Sequence, residues 1–141
     1  MEVKIDKEKI AEVAKKHGLA LLVLFGSRAR GDERQKSDFD VAYSSVKNLS
    51  LHEENQMAVE LHEVLKTINV DLVNLHHTGP LLLKKITEEG IPLYEIRQSV
   101  FNQLYLYALR IFRESKNLNI LRQEYVLHTI NQFKKDVVLN W

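Results

Sequence analysis

The stretch "GSRARGDERQKSDFD", residues 26–40, follows the most apolar run of the chain, "LALLVLF" at 19–25, and ends in two aspartates that flank Phe39. Strands disfavour aspartate, and two carboxylates on one face of a strand repel each other. Yet "SDFDVAYS", residues 37–44, alternates as a strand does: Asp38, Asp40 and Ala42 face one way, Phe39, Val41 and Tyr43 the other. Residues two apart on a strand lie about 6.5 Å from each other, so both carboxylates can converge on shared cations. Two Mg²⁺ ions about 3.5 to 4 Å apart are the usual clamp for in-line phosphoryl or nucleotidyl transfer, and hard oxygen ligands suit Mg²⁺. Bound metal offsets the cost of the paired aspartates.

Upstream of them, Gly26 lets the chain turn sharply at the end of the apolar strand, and Ser27 is placed to cap the next helical turn or to meet a phosphate. Arg28 and Arg30 add two cationic forks matched to phosphate oxygens. For Arg30 and Arg28 a pairing with Asp32, Glu33 or another surface carboxylate is the competing reading. Downstream, Asp71 stands alone among the apolar residues of "VDLVNL", residues 70–75. On a neighbouring strand it would complete a metal shell and accept the proton of an attacking hydroxyl.

Around this centre the pattern is α/β. Residues 6–17 form an amphipathic helix capped by Asp6 and stopped by Gly18, and "LALLVLF" is a strand covered on both faces. Ser50 caps a helix over about 51–67, with Leu51, Met57, Leu61, Val64, Leu65 and Ile68 as its apolar stripe. Pro80 opens a short helix that runs to Glu89, and "IPLYE" at 91–95 is an edge strand, because Pro92 cannot donate to a ladder. From Ser99 the periodicity is helical. Leu104, Ala108, Ile111 and Phe112 mark one helix, and Val126, Ile130, Phe133 and Val137 a second, with "ESKNLN" read as the bend of a helical hairpin. This divides the chain into a core at 1–97 and a helical extension at 98–141 packed on it.

Composition bounds the function. The 141 residues carry 20 basic and 19 acidic side chains, a formal net charge of +1, which writes in no general attraction to nucleic acid or membrane. The absence of cysteine excludes disulfides and thiolate metal sites and suits a reducing cytoplasm. No run is long enough to span a bilayer, so the expectation is a cytoplasmic chain. His76 and His77 are adjacent in an extended segment, and His52 and His62 are ten apart on one helix, so neither pair has ligand spacing.

Gly26 and Ser27, ten residues, then Asp38, Phe39 and Asp40 match the G-S-x(10)-D-x-D signature of the DNA polymerase beta nucleotidyltransferase superfamily, and "GSRARG" resembles its small prokaryotic branch, the minimal nucleotidyltransferases. "VDLVNL" is similar to the family strand that carries the third catalytic aspartate. The resemblance covers roughly residues 19–95. It implies a small mixed-sheet nucleotidyltransferase core, Mg²⁺-dependent use of ATP, and an antitoxin role beside a HEPN-type ribonuclease toxin, onto whose tyrosine AMP is transferred. On this reading Asp38, Asp40 and Asp71 hold metal and carry catalysis, with Asp71 as base, and Gly26, Ser27 and Arg28 hold the triphosphate. Three alternatives stay open: an adenylyltransferase acting on a small molecule, a non-catalytic antitoxin that only binds, and a nucleotide-adding RNA enzyme, for which no basic stripe speaks. Seven aromatic residues fall after position 97, Tyr105, Tyr107 and Trp141 among them, and they make the extension a candidate partner-binding element.

Overall fold

The computed structural model describes residues 5–31 and 38–139. In chain order the elements are α1 (Lys7–Lys16), β1 (Leu19–Phe25), a one-turn α2 (Ser27–Arg30), β2 (Phe39–Ser45), α3 (Leu51–Leu65), β3 (Val70–Asn74), a 3₁₀ turn (Leu75–His77), α4 (Pro80–Glu89), β4 (Ile91–Glu95) and α5 (Val100–Leu139). The four strands form one mixed sheet in the order β3-β2-β1-β4. β1 runs antiparallel to both β2 and β4, while β2 and β3 are parallel. β1 is thus an inner strand, as its unbroken apolar sequence requires, and the Pro92 strand lies at an edge.

Helices cover both faces. On one, Ile10, Val13 and Ala14 of α1 and Met57, Leu61 and Leu65 of α3 pack against Leu22, Leu24, Phe39, Val41 and Tyr43. Asp6 caps α1 through the Glu8 and Lys9 amides, and Ser50 with Glu53 forms a reciprocal capping box on α3. Leu51 and Ile68, read as ends of the α3 stripe, are exposed. Ile68 falls beyond the last helical residue, Leu65, where the helical period no longer sets its direction. The buried Tyr43 hydroxyl donates to Glu54 Oε2 at 2.8 Å. Burial and that carboxylate raise the phenol well above its ordinary range.

The opposite face buries Leu21, Val23 and Ala42 beneath Leu83 and Ile86 of α4 and Ala108 of α5. The Glu95 carboxylate accepts from the Phe101 amide and so ties the start of α5 to β4. Here the structure corrects the expected hairpin: α5 is one helix of 40 residues. "ESKNLN" contains no glycine or proline to stop it, and its polar side chains are solvated along a helix that continues. Val126 and Ile130 follow Ala108 and Phe112 at eighteen residues each, five turns at 3.6 residues per turn, so both apolar stripes lie on one line. The first four turns pack on the core. From Lys116 to Asp136 every side chain is exposed, a stretch of helix about 32 Å long.

Candidate active site

β1 ends at Phe25, and the chain reverses through Gly26 at φ 76. Gly26 is the N-cap of α2, with its carbonyl accepting from the Ala29 and Arg30 amides at 3.1 Å. Ser27 therefore occupies the first helical position, and the capping place expected for it belongs to Gly26. A β-carbon on Gly26 would lie within van der Waals contact of Asp40 Oδ2 and 3.1 Å from its Cγ. The glycine lets the turn close over that carboxylate.

β2 enters through a 2.7 Å hydrogen bond from the Phe39 amide to the Asn69 carbonyl, with Asp38 exposed just before the strand and Asp40 on it. Phe39 is buried among α1 and α3 residues, so Asp40 projects from the other face, as do Ala42 and Phe25. The parallel register sets Asp40 opposite Asp71 on β3, on strands about 4.8 Å apart. Asp71 shares its face with Val73 and is exposed. Burial raises the Asp40 carboxyl pKa above its ordinary value of 3.8, the charges of Asp71 and Asp38 raise it further, and Arg30 opposes them. The Asp40 carboxylate thus senses both of the others at one end of the sheet. That repulsion, opposed only in part by Arg30, fits a site for divalent cation, although among the described residues no three acidic or imidazole side chains form a ready-made cage.

The arginines part company. Arg30 Nη1 reaches Glu89 Oε2 of α4 at 2.8 Å, and no sequence signal links residues so far apart. Asp32 and Glu33 fall outside the described residues. The Arg28 guanidinium stacks over the Phe39 ring at 4.4 Å, beside the turn. His76 pairs with Ser44 at 3.0 Å, four residues along β2 from Asp40, beside a cavity of about 480 Å³ lined by Leu21, Gln103 and Tyr107 among others. None of the three aspartates lines that cavity. They stand at one end of the sheet, with Asp38 and Asp71 exposed and Asp40 half-buried.

Residues 8–99 match the polymerase beta nucleotidyltransferase family. The chain is 30% identical over 115 residues to the protein adenylyltransferase MntA of Aphanizomenon flos-aquae, covering 75% of this chain and 77% of the relative. Among solved structures, a toxin–antitoxin complex with AMP-PNP superposes with a TM-score of 0.68 at 23% identity, covering 89% of this chain and 99% of that one. A tri-AMPylated HEPN toxin in complex with MNT antitoxin, from Shewanella oneidensis, gives 0.61 at 21% identity, covering 88% and 95%. At these identities the two structures speak for the fold. With its matched core, its glycine-serine turn and its aspartates on neighbouring strands, the chain belongs to the polymerase beta nucleotidyltransferase family.

Proposed function

We propose that this chain transfers AMP from ATP to a tyrosine hydroxyl of a cognate HEPN-type toxin and so neutralises it. The observation that carries this reading is the arrangement of Asp38, Asp40 and Asp71 at one end of the sheet beside the Gly26 turn, with Asp38 and Asp71 exposed to an acceptor presented by another protein. The MntA relative supports the reaction class, and the structural neighbours are complexes of toxin with antitoxin.

In the reaction the tyrosine oxygen attacks the α-phosphorus of ATP, the bond from that phosphorus to the bridging oxygen of the β-phosphate breaks, and pyrophosphate leaves. Asp71 accepts the hydroxyl proton. Gly26, Ser27 and Arg28 bind the triphosphate, for which Arg28 gives up its place on Phe39. Asp38, Asp40 and Asp71 would hold Mg²⁺, which supplies charge neutralisation on the attacking and leaving oxygens. Among the described residues no helix is long and apolar enough to cross a membrane, and the proposed setting is the cytoplasm. The start of α5, where Leu106 and Tyr107 are exposed beside the core, is the proposed contact for the toxin.

The test is incubation of purified protein with α-labelled ATP, Mg²⁺ and the cognate toxin. Label on a toxin tyrosine, lost on chelation of metal, is the expected result. Label confined to small molecules, or none in the presence of toxin, would overturn the assignment.

A further inference from the structure

Glu89 stands where a helix least favours a carboxylate. It is the last residue of α4, at the negative end of the helix dipole, and no basic residue shares that last turn. Its neighbour Glu88 pairs with Lys84 of the same helix at 2.7 Å. Glu89 instead meets Arg30 Nη1 at 2.8 Å, 59 residues away in sequence. The end of α4 is a firm support for it. Gly90 packs so closely on the Ile86 carbonyl and on Val23 of β1 that a β-carbon there would overlap both, and Ile86 and Val23 are wholly buried.

The Arg30 side chain is not needed to build the turn that carries it. The Ala29 and Arg30 amides already close on the Gly26 carbonyl, and the Gly31 amide ends α2 by donating to the Ser27 carbonyl. Arg28 and Arg30 leave this turn about 200° apart. Arg28 lies over Phe39, on the α1 and α3 side of the sheet, whereas Arg30 reaches α4, on the side from which Asp40 projects. Its charge is felt there, opposing the repulsion of Asp38 and Asp71 at Asp40. A guanidinium on a long stem beside three carboxylates competes with divalent cation for them. We propose that Glu89 is a positioning residue that holds the Arg30 guanidinium off Asp40 and so keeps the carboxylate centre open to divalent cation. This rests on Asp38, Asp40 and Asp71 being the cation site of the proposed reaction. The two charges then act with opposite sign: Arg30 lowers cation affinity, and Glu89 restores it by engaging Arg30. The pair is 39% and 32% exposed, so the fold itself depends little on it.

Mn²⁺ titrated into the nucleotide-free full chain, with free ion read by electron paramagnetic resonance, tests this without toxin or turnover. Binding that Asp40→Asn abolishes establishes the site, and without such binding the site and the positioning role fall together. Arg30→Gln should tighten Mn²⁺ binding about three- to tenfold, the weight of one charge near a divalent ion in a screened, high-dielectric setting. Glu89→Gln should loosen it by about threefold or more. In the Arg30→Gln background, Glu89→Gln should change little, since no guanidinium is left to hold. Glu89→Asp keeps the charge but shortens its reach, and should fall between wild type and Glu89→Gln. Thermal melts confirm that each variant is folded. Equal loosening by Glu89→Gln in both backgrounds would mean that its charge acts on the ion directly, which overturns the positioning role and leaves the carboxylate site standing. Wild-type affinity in Glu89→Gln or in Arg30→Gln overturns it as well.

Discussion

A side chain on Gly26 and the carboxylate of Asp40 cannot occupy the same structure, because the β-carbon would overlap Oδ2. Gly26 thus serves the carboxylate before any phosphate arrives. Gly26→Ala should lower the rate of AMP transfer at least about tenfold and destabilise the fold by about 1 to 2 kcal/mol, since φ 76 also penalises a side chain. Initial rates and denaturant unfolding measure the two effects, and turnover equal to wild type would mean that Asp40 tolerates displacement.

Asp40→Asn should abolish transfer yet leave the metal-free protein slightly more stable, by less than about 1 kcal/mol given solvent screening at the site. The sign follows from the raised pKa. A carboxyl whose folded pKa lies above its unfolded value weakens the fold wherever it is ionised. That penalty is full at neutral pH, declines as pH falls through the raised folded value, and is gone below the ordinary value of 3.8. The stability gap between variant and wild type should therefore close on acidification, as thermal melts across pH will show.

Asp71→Asn should separate chemistry from binding. Its loss removes the proposed proton acceptor while leaving the glycine-serine turn in place, so the maximal rate should drop by about 10² or more, with a smaller change in ATP affinity. Calorimetric titration beside single-turnover rates decides this, and equal losses in both would make Asp71 a nucleotide ligand alone.

Glu60 joins α3 to α1, accepting from Lys16 and standing 2.6 Å from His17 Nε2. Burial pushes its carboxyl up, but the hydrogen bonds and charges of Lys16 and His17 more than offset that and hold it below the ordinary value of 4.5. A depressed carboxyl stabilises the fold above its unfolded pKa, and the contribution is lost as pH falls through the folded value. Glu60→Gln should cost about 1 kcal/mol at neutral pH, with the cost vanishing in acid and transfer activity unchanged, as melts and rates at neutral and acidic pH will register.

Of the two tyrosines near the start of α5, Tyr107 is exposed and Tyr105 is half-buried, as their spacing of about 200° around the helix requires. Tyr107→Ala should weaken toxin binding by about 1 to 3 kcal/mol and Tyr105→Ala should act through stability. Affinity by calorimetry and unfolding midpoints distinguish the two. Trp141 lies outside the described residues.

Much of the candidate site's geometry was legible because its parts are local signals. Strand period set Asp40 apart from Phe39, although Asp38 lies just before the strand expected to carry it, and a solitary Asp71 stood out in an apolar strand; the register that pairs Asp40 with Asp71 added what no spacing encodes. Arg30 with Glu89 is likewise a product of packing α4 over the sheet. The hairpin failed for a different reason. A polar stretch in a helical pattern marks a solvated length of helix as readily as a bend, and the shared phase of Ala108 with Val126 was present in the sequence to say which.

The crossover through α3 gives the site a history as well as a shape. Asp40 enters the sheet with β1 and β2, which are close in sequence, whereas Asp71 arrives only after α3 has been laid on the sheet and β3 has docked parallel to β2. Parallel pairing pays its loop-closure entropy before any contact rewards it. A nascent or partly unfolded chain can therefore hold its glycine-serine turn beside Asp40 and still lack Asp71. On the proposed assignment of Asp71, catalytic competence waits on the docking of the edge strand β3 against β2.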